Sequence, residues 1–374
     1  MKKILLGAAM LAATLAAAAP ASADLRDVRD LIDAARPLKP LTLAVIGDWP
    51  YGSLLFDNAA LLIDSVNADA KVSRVIHVGD IHSGSQPCTS AGILPPLATS
   101  IPTYNQSVFG LFQRFEVPLV YTPGDNEWTD CHKAKEKSAG APLKELASVR
   151  GLFFAKPGRT LGLDEDVVES QAQSFDPAYP TDAQFVENVL WDESKVVFVT
   201  LNIPGSNDDT VPWSGTFADP TAQAAERAAR DGANQRWLAA AFARAQHIQA
   251  KAIVVAQQAD MFDPAAVVPG GDGLSAYTAY VQQLAQLSLA FGKPVLLING
   301  DSHVYGVDRP LADPASATGL IHGTPAVPNL QRITVEGSTT APAEWLRLTI
   351  DPRKKDVFSF SNVAYCKDPL TSCQ

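Results

Sequence analysis

Cysteine is scarce in this chain, with four among 374 residues. Cys88, Cys131, Cys366 and Cys373 include no close pair with the spacing of a zinc ligand set, which argues against a zinc–cysteine cluster. Four cysteines allow three pairings. In an oxidising compartment, Cys88 with Cys131 and Cys366 with Cys373 are the expected ones. Basic charge is also short: 30 Lys and Arg stand against 40 Asp and Glu, a net charge of −10. The basic footprint that a nucleic-acid surface needs is therefore missing. A phosphorylated substrate stays open, because bound divalent cations reverse the local field. Beyond the N-terminus no apolar run is long enough to cross a bilayer. There is no repeat of solenoid length and no Pro/Gly/Ser linker to mark a domain boundary.

What the chain does have is core-forming material. Hydrophobic residues make up 47% and charged residues 19%, a balance that excludes disorder by composition. The N-terminus reads as an export signal: Lys2 and Lys3, an apolar stretch over Ile4–Ala19, then the small-residue site Ala21-Ser22-Ala23 before Asp24. A membrane anchor is the alternative, and the run is short for a span. No Cys follows the site, so lipid attachment is not expected. These features predict a signal peptide over 1–23 and a single domain over 24–374, located in a bacterial periplasm or secreted. Oligomeric state is not readable from the sequence.

Short apolar runs alternate with helical patterns. Leu41–Asp48, Ser73–Asp80 and Val117–Asp125 read as buried strands, each ending in Gly-Asp, with helices expected over Leu54–Val66 and Asn105–Phe115 between them. This order implies parallel strands with crossovers. Strands over Lys195–Gly205, Lys251–Gln257 and Lys293–Asp301 follow, with helices over Ala222–Gln246 and Tyr277–Phe291; Gly232 weakens the first of these helices. After His303 the pattern shifts to "LQRITVEG", "EWLRLTID" and "DVFSFSN", which predict an antiparallel edge or a second sheet. The loops Pro204–Pro220, Phe262–Ser275 and Asp308–Pro328 follow strand ends, where open α/β sheets make substrate contacts. Trp213, in the first, reads as a packing residue before a substrate-facing one.

Chemistry concentrates at the strand ends: Gly47-Asp48, Gly79-Asp80-Ile81-His82, Gly124-Asp125-Asn126-Glu127, Gln257-Gln258 and Gly300-Asp301-Ser302-His303. Glycine lets the backbone turn sharply, so that the next side chain enters the crevice at the C-terminal edge of a sheet. One Gly-Asp is an ordinary turn, but its recurrence after successive strands is not. Converging carboxylates repel and lose hydration, and divalent cations remove both penalties.

From about Leu41 to His303 this order and spacing of motifs resembles the calcineurin-like metallophosphoesterase superfamily. That family carries Asp from a first strand, GD from a second, GNH[DE] from a third, a strand-end His and then GHxH. The resemblance implies an α/β sandwich of two mixed sheets flanked by helices. It implies that Asp48 is a ligand of a first metal and Asp80 a bridging carboxylate. Asp125 stands where the family has a metal-binding Asn, and His303 at the second His of GHxH. The motif residues depart elsewhere. Asn126 falls where the family has its catalytic His, and Glu127 at the acidic residue after it. Gln257 or Gln258 falls at the strand-end His, and Asp301 replaces the first His of GHxH. Pro50 takes the place of a further His that purple-acid-phosphatase-like members also lack.

The implied metal ligands are then Asp48, Asp80, Asp125, Gln257 (or its neighbour Gln258), Asp301 and His303. Such an imidazole-poor, oxygen-rich shell favours two hard divalent ions, Mn²⁺, Mg²⁺ or Ca²⁺, over Zn²⁺ or Fe. His82 either joins the first metal or lies outside its shell. Two metals imply hydrolysis of a small phosphorylated substrate by an activated water. Asn126 and His132 are the candidate catalytic residues. His132 would supply a leaving-group proton if the Cys88–Cys131 disulfide folds its loop back; the plainer reading is a surface histidine. His77 reads as packing behind the metals, and His247 and His322 carry no motif. The competing function is a non-catalytic or one-metal binding protein on the same fold.

Overall fold

The structure is a computed structural model that describes residues 38–88, 104–136, 140–339 and 343–367. The chain divides into two units, Met1–Arg36 and Pro37–Gln374, and all described residues belong to the second. The expected signal peptide lies outside the described residues. Among the described residues no helix is long and apolar enough to cross a membrane.

Among the described residues twelve strands form two mixed sheets. They are β1 (Leu41–Ile46), β2 (Val72–His77), β3 (Leu119–Tyr121), β4 (Glu169–Ser170), β5 (Val189–Glu193), β6 (Val196–Thr200), β7 (Ala252–Ala256), β8 (Val295–Asn299), β9 (Gly306–Asp308), β10 (Leu330–Thr334), β11 (Glu344–Ile350) and β12 (Phe358–Ala364). The first sheet runs β12-β11-β1-β2-β3 and the second β4-β5-β6-β7-β8-β10-β9. In the first, β1, β2 and β3 are parallel and β11 and β12 add antiparallel. In the second, β6, β7, β8 and β10 are parallel, with antiparallel strands at both edges. The C-terminal strands therefore divide between the sheets: β10 extends the second sheet in parallel, while β11 and β12 close the first.

Side-chain alternation along each strand sorts the core into layers. In β7, Ala252, Val254 and Ala256 face inward with Leu43 and Val45 of β1 and Ile298 of β8, forming the layer between the sheets. Ile253 and Val255 face the opposite way. They pack with Trp237, Leu238 and Phe242 of one long helix and Val281 and Leu284 of another. The outer face of the first sheet carries Ala44, Ile46 and Val75 against helices bearing Leu62, Val108 and Phe112. The result is an α/β sandwich with helices on both outer faces.

The helices follow local rules. The longest, Pro220–His247, starts at Asp219, whose side chain accepts from the Ala222 N–H, with Pro at its first position and Arg244 and His247 in its last turn. Gly232 does not interrupt it, because the buried stripe from Ala233 to Ala245 holds the helix to the sheet. The helix expected over Leu54–Val66 is split at Asn58, whose side-chain amide binds the Leu54 carbonyl. A helix over Pro142–Phe153 and the strand pair β4–β5 are not apparent from the sequence.

A disulfide joins Cys88 to Cys131 across 43 residues, as expected. It ties the loop after β2 to the loop after β3. Cys366 is also disulfide-bonded; Cys373, its expected partner, lies outside the described residues. A 43-residue closure restricts the unfolded chain by roughly 3–4 kcal/mol in the loop-entropy account. The Cys88→Ser/Cys131→Ser variant should therefore unfold at a clearly lower urea midpoint than the parent, with the loss on the order of 2–4 kcal/mol. An unchanged midpoint would contradict this.

Candidate metal centre

The C-terminal ends of the parallel strands from both sheets meet at one edge. Asp48 follows β1, Asp80 follows β2 and Asp125 follows β3; Gln258 follows β7, and Asp301 and His303 follow β8. The turns that deliver them are tight. Asp48, Asp80, Asp301 and His303 all adopt positive φ, between 49° and 73°. Backbone bonds tie neighbouring turns, from Asp48 N–H to the Gly79 carbonyl (2.9 Å) and from Gly300 N–H to the Gln258 carbonyl (3.0 Å). Gly124 is required here by contact. A Cβ at that position would collide with Asp80 Oδ1 and lie 2.7 Å from the Asp80 backbone nitrogen.

Two sets of ligand atoms result. Asp48, Asp80 and His303 form one, and Asp80, Asp125 and Asp301 the other, each with its atoms within 4.8 Å of one another. Asp80 belongs to both. These residues could hold a metal ion. Asp48 is fully buried, and Asp80 and Asp125 are buried as well; Asp301 and His303 are partly exposed. His303 is oriented for ligation: its Nδ1 pairs with Thr339 Oγ1, and its Nε2 lies 3.2 Å from Asp48 Oδ1. A Cβ on Gly337 would strike the His303 ring at 2.7 Å, so that ring is seated against backbone.

Two side chains occupy the focal points. The Tyr51 hydroxyl lies 3.4 Å from Asp48 Oδ1, 3.2 Å from Asp80 Oδ2 and 3.4 Å from His303 Nε2, at the centre of the first set. The Gln258 amide nitrogen lies 3.3 Å from Asp80 Oδ2 and 3.1 Å from both Asp125 Oδ1 and Asp301 Oδ1, at the centre of the second. Of the two strand-end glutamines, Gln258 and not Gln257 therefore faces the carboxylates. Strand parity is the reason. Position 258 continues the inward row 252, 254, 256, whereas Gln257 continues the outward row and gives its amide to the Ala259 carbonyl (3.0 Å).

Asn126 does reach the centre. Its Nδ2 donates to Asp80 Oδ2 at 2.9 Å and lies 3.4 Å from the Tyr51 oxygen. His132 does not join it. Its Nδ1 receives the Ser214 N–H at 3.0 Å and contacts Ser214 Oγ at 3.1 Å, because the short 3₁₀ turn Thr129–His132 carries the ring toward that loop. Glu127 points away from the focal points and braces the turns, accepting from Ile81 N–H (3.0 Å), Gly124 N–H (3.2 Å) and the Tyr121 hydroxyl (2.7 Å). His77 sits behind, taking the Gly79 N–H at Nδ1 and giving Nε2–H to the Trp49 carbonyl. His82 Nδ1 lies 3.2 Å from the Ser83 carbonyl, and the ring joins neither ligand set. Trp213 is packed, its indole N–H on Asp209 (2.8 Å).

One element has almost no sequence signature. Ser206 to Asp209 form a left-handed turn with φ between 51° and 59°. Such residues cost roughly 1–2 kcal/mol each, less for Asn and Asp. Specific bonds hold the turn: Ser206 Oγ to Asp125 (3.1 Å) and Asp130 (2.7 Å), Asp208 to buried Arg230, and Asp209 to Trp213 and Gln223. The run Ser-Asn-Asp-Asp after a Pro-Gly is its only signal. A cavity of about 300 Å³ opens between this turn and the loop 260–274, lined in part by Asp125, Asn207, Asp260, Tyr277 and Asp301.

Burial and mutual repulsion set the protonation of the centre. Both raise Asp80 well above the carboxylate range, with Asp125 the strongest neighbour. Asp301 is raised for the same reasons. Asp125 moves up to about 6 and Glu127 to about 7, in each case chiefly by burial. Burial lowers His303, but Asp48, with Asp125 behind it, more than offsets this and leaves it above its ordinary value.

No protein-family model matches the chain, and no curated protein matches it. Among solved structures it is similar to "GAP50 the anchor in the inner membrane complex of Plasmodium", at 11% identity, over 88% of this chain and 90% of that one, with a TM-score of 0.42. A likeness of that degree carries no argument about this centre.

The raised carboxylates have a consequence for the cation-free chain. Glu127 goes from 4.5 to about 7 on folding, so the folded state holds more protons between those values, and stability falls as pH rises through that window. His77 and His82, both held down to about 4 by burial, act with the opposite sign between about pH 4 and 6.5 and are silent above it. A difference measurement isolates the carboxylate. In chelator-treated protein, the parent should lose stability relative to Glu127→Gln as pH rises from 5 to 7, on the order of 1 kcal/mol per pH unit, and the difference should level off above that. A flat difference across that range would refute the assignment.

Proposed function

We propose that this chain is an exported, divalent-cation-dependent hydrolase of phosphate esters on a calcineurin-like metallophosphoesterase scaffold. The observation that carries this reading is the sharing of buried Asp80 by two sets of ligand atoms at the meeting edge of two sheets. The donor chemistry of the first set fits a hard cation: two carboxylates, one oriented imidazole nitrogen and the phenol oxygen of Tyr51. Bound there, a cation supplies Lewis acidity toward phosphoryl oxygens and a lowered pKa for the attacking water. The Cys88–Cys131 disulfide supports an oxidising destination and so agrees with the expected signal peptide.

The chain's own residues then divide the remaining work. Asp48 and Asp80 anchor the cation, and Thr339 fixes the orientation of the His303 ring. Asn126, beside Asp80 and Tyr51, is placed to donate an N–H to a phosphoryl oxygen. The cavity beside Asp125 and Asp301 has room for an ester group. Among the described residues no spare imidazole reaches the centre to protonate a leaving group, since His132 is held by Ser214. Esters whose leaving groups need no proton, such as aryl phosphates, are therefore the substrates this geometry favours.

The same lack of a spare imidazole favours one second reading, a cation-binding protein without turnover. Hydrolysis of 4-nitrophenyl phosphate with Mn²⁺ or Mg²⁺, run beside Asp80→Asn, separates the two. The hydrolase reading expects the parent to exceed Asp80→Asn by about 100-fold or more, the scale of losing a preorganised electrostatic group. Equal rates in parent and variant would reject it for these substrates.

A further inference from the structure

The two focal points of the centre are filled by different kinds of atom. At the first, the Tyr51 oxygen keeps lone pairs and can turn toward a cation as a ligand. At the second stands an amide nitrogen, which offers two N–H donors and no lone pair for a metal. Which end of the Gln258 amide points inward is settled by its other end. That atom lies 2.5 Å from the backbone nitrogen of Gly205, which can only donate, so it must be the oxygen. Reversing the amide would set donor against donor at Gly205 and place a fourth oxygen among three carboxylates.

The side chain is closely flanked along its stem. Its stem passes between two glycine backbones. A Cβ on Gly79 would lie 2.9 Å from both Gln258 Cβ and Cγ, and one on Gly124 would lie 2.8 Å from Cγ. Gly205 lies close to the two partner carboxylates, where a Cβ would meet Asp125 Oδ2 and Asp301 Oδ1 at 2.8 Å each. The second set therefore does not fit the second cation that the fold resemblance implies. It is already neutralised in part by N–H donors from within the chain.

We propose that the Gln258 carboxamide is a built-in substitute for the second cation, so that this protein holds one divalent ion, at Asp48, Asp80 and His303, and residue 258 sets that number. The inference rests on the cation-binding part of the function proposed above. Its test is a count and a spectrum. The mature chain is loaded with Mn²⁺, freed of loose ion, and read by elemental analysis and electron paramagnetic resonance, beside Gln258→His and Gln258→Ala. The parent should carry one Mn²⁺ with the signal of an isolated ion. Gln258→His should carry twice as much, with the signature of an exchange-coupled pair, and Gln258→Ala should gain the second ion more weakly.

Two coupled ions in the parent would overturn the proposal, as would a single ion in both variants when they fold as the parent does by circular dichroism. If neither variant folds, the parent's count decides alone. Two ions with phosphatase turnover would remove the substitution and leave the hydrolase reading standing. One ion without turnover would do the reverse, and no bound ion would remove both.

Discussion

Like charges buried together dominate this structure. Asp48, Asp80, Asp125 and Glu127 are buried together, with the partly exposed Asp301 beside them. Two unit charges about 4 Å apart repel by about 4 kcal/mol at an effective dielectric of 20, several times the worth of one hydrogen bond. No arrangement of backbone N–H groups alone balances that. The chain combines several partial remedies: the phenol of Tyr51 at one focal point, the amide of Gln258 at the other, and an outward turn of Glu127 onto three donors. Lys133 and Lys135 sit one carboxylate away, on Asp130. Protons or cations must supply the rest.

The same demand explains the local backbone. Positive φ at four of the site residues, and glycines whose Cβ would strike a carboxylate, are expensive choices in isolation. Their common result is to bring carboxylate oxygens within 4.8 Å of one another. The left-handed turn at Ser206–Asp209 belongs to this group, since it places Ser206 on Asp125 and Gly205 on Gln258.

Much of the centre is legible in the amino-acid order alone. The recurring Gly-Asp after apolar runs locates it, and the parallel strands follow the runs to within a few residues. The choice between Gln257 and Gln258 is not legible, because β7 is buried on both faces and its apolar run hides which parity looks inward. Tyr51 carries no signal of its own, because its role depends on a tight turn that returns it to the Asp48 it follows. His132 misleads for a different reason: the disulfide at Cys131 does draw the loop in, yet the 3₁₀ turn aims the ring at Ser214. The C-terminal strands read alike in sequence but join different sheets, a matter of tertiary partners rather than local pattern.

One half of the centre hangs from each sheet: Asp48, Asp80 and Asp125 from the first, Gln258, Asp301 and His303 from the second. The centre thus acts as a caliper across the sandwich. Slippage of one sheet over the other by about an ångström would open or close its jaws by a similar amount. Packing in the distant layer around Leu43, Val254 and Ile298 is in that sense part of the calibration, and a repacked interior there would be registered first as altered spacing between these side chains.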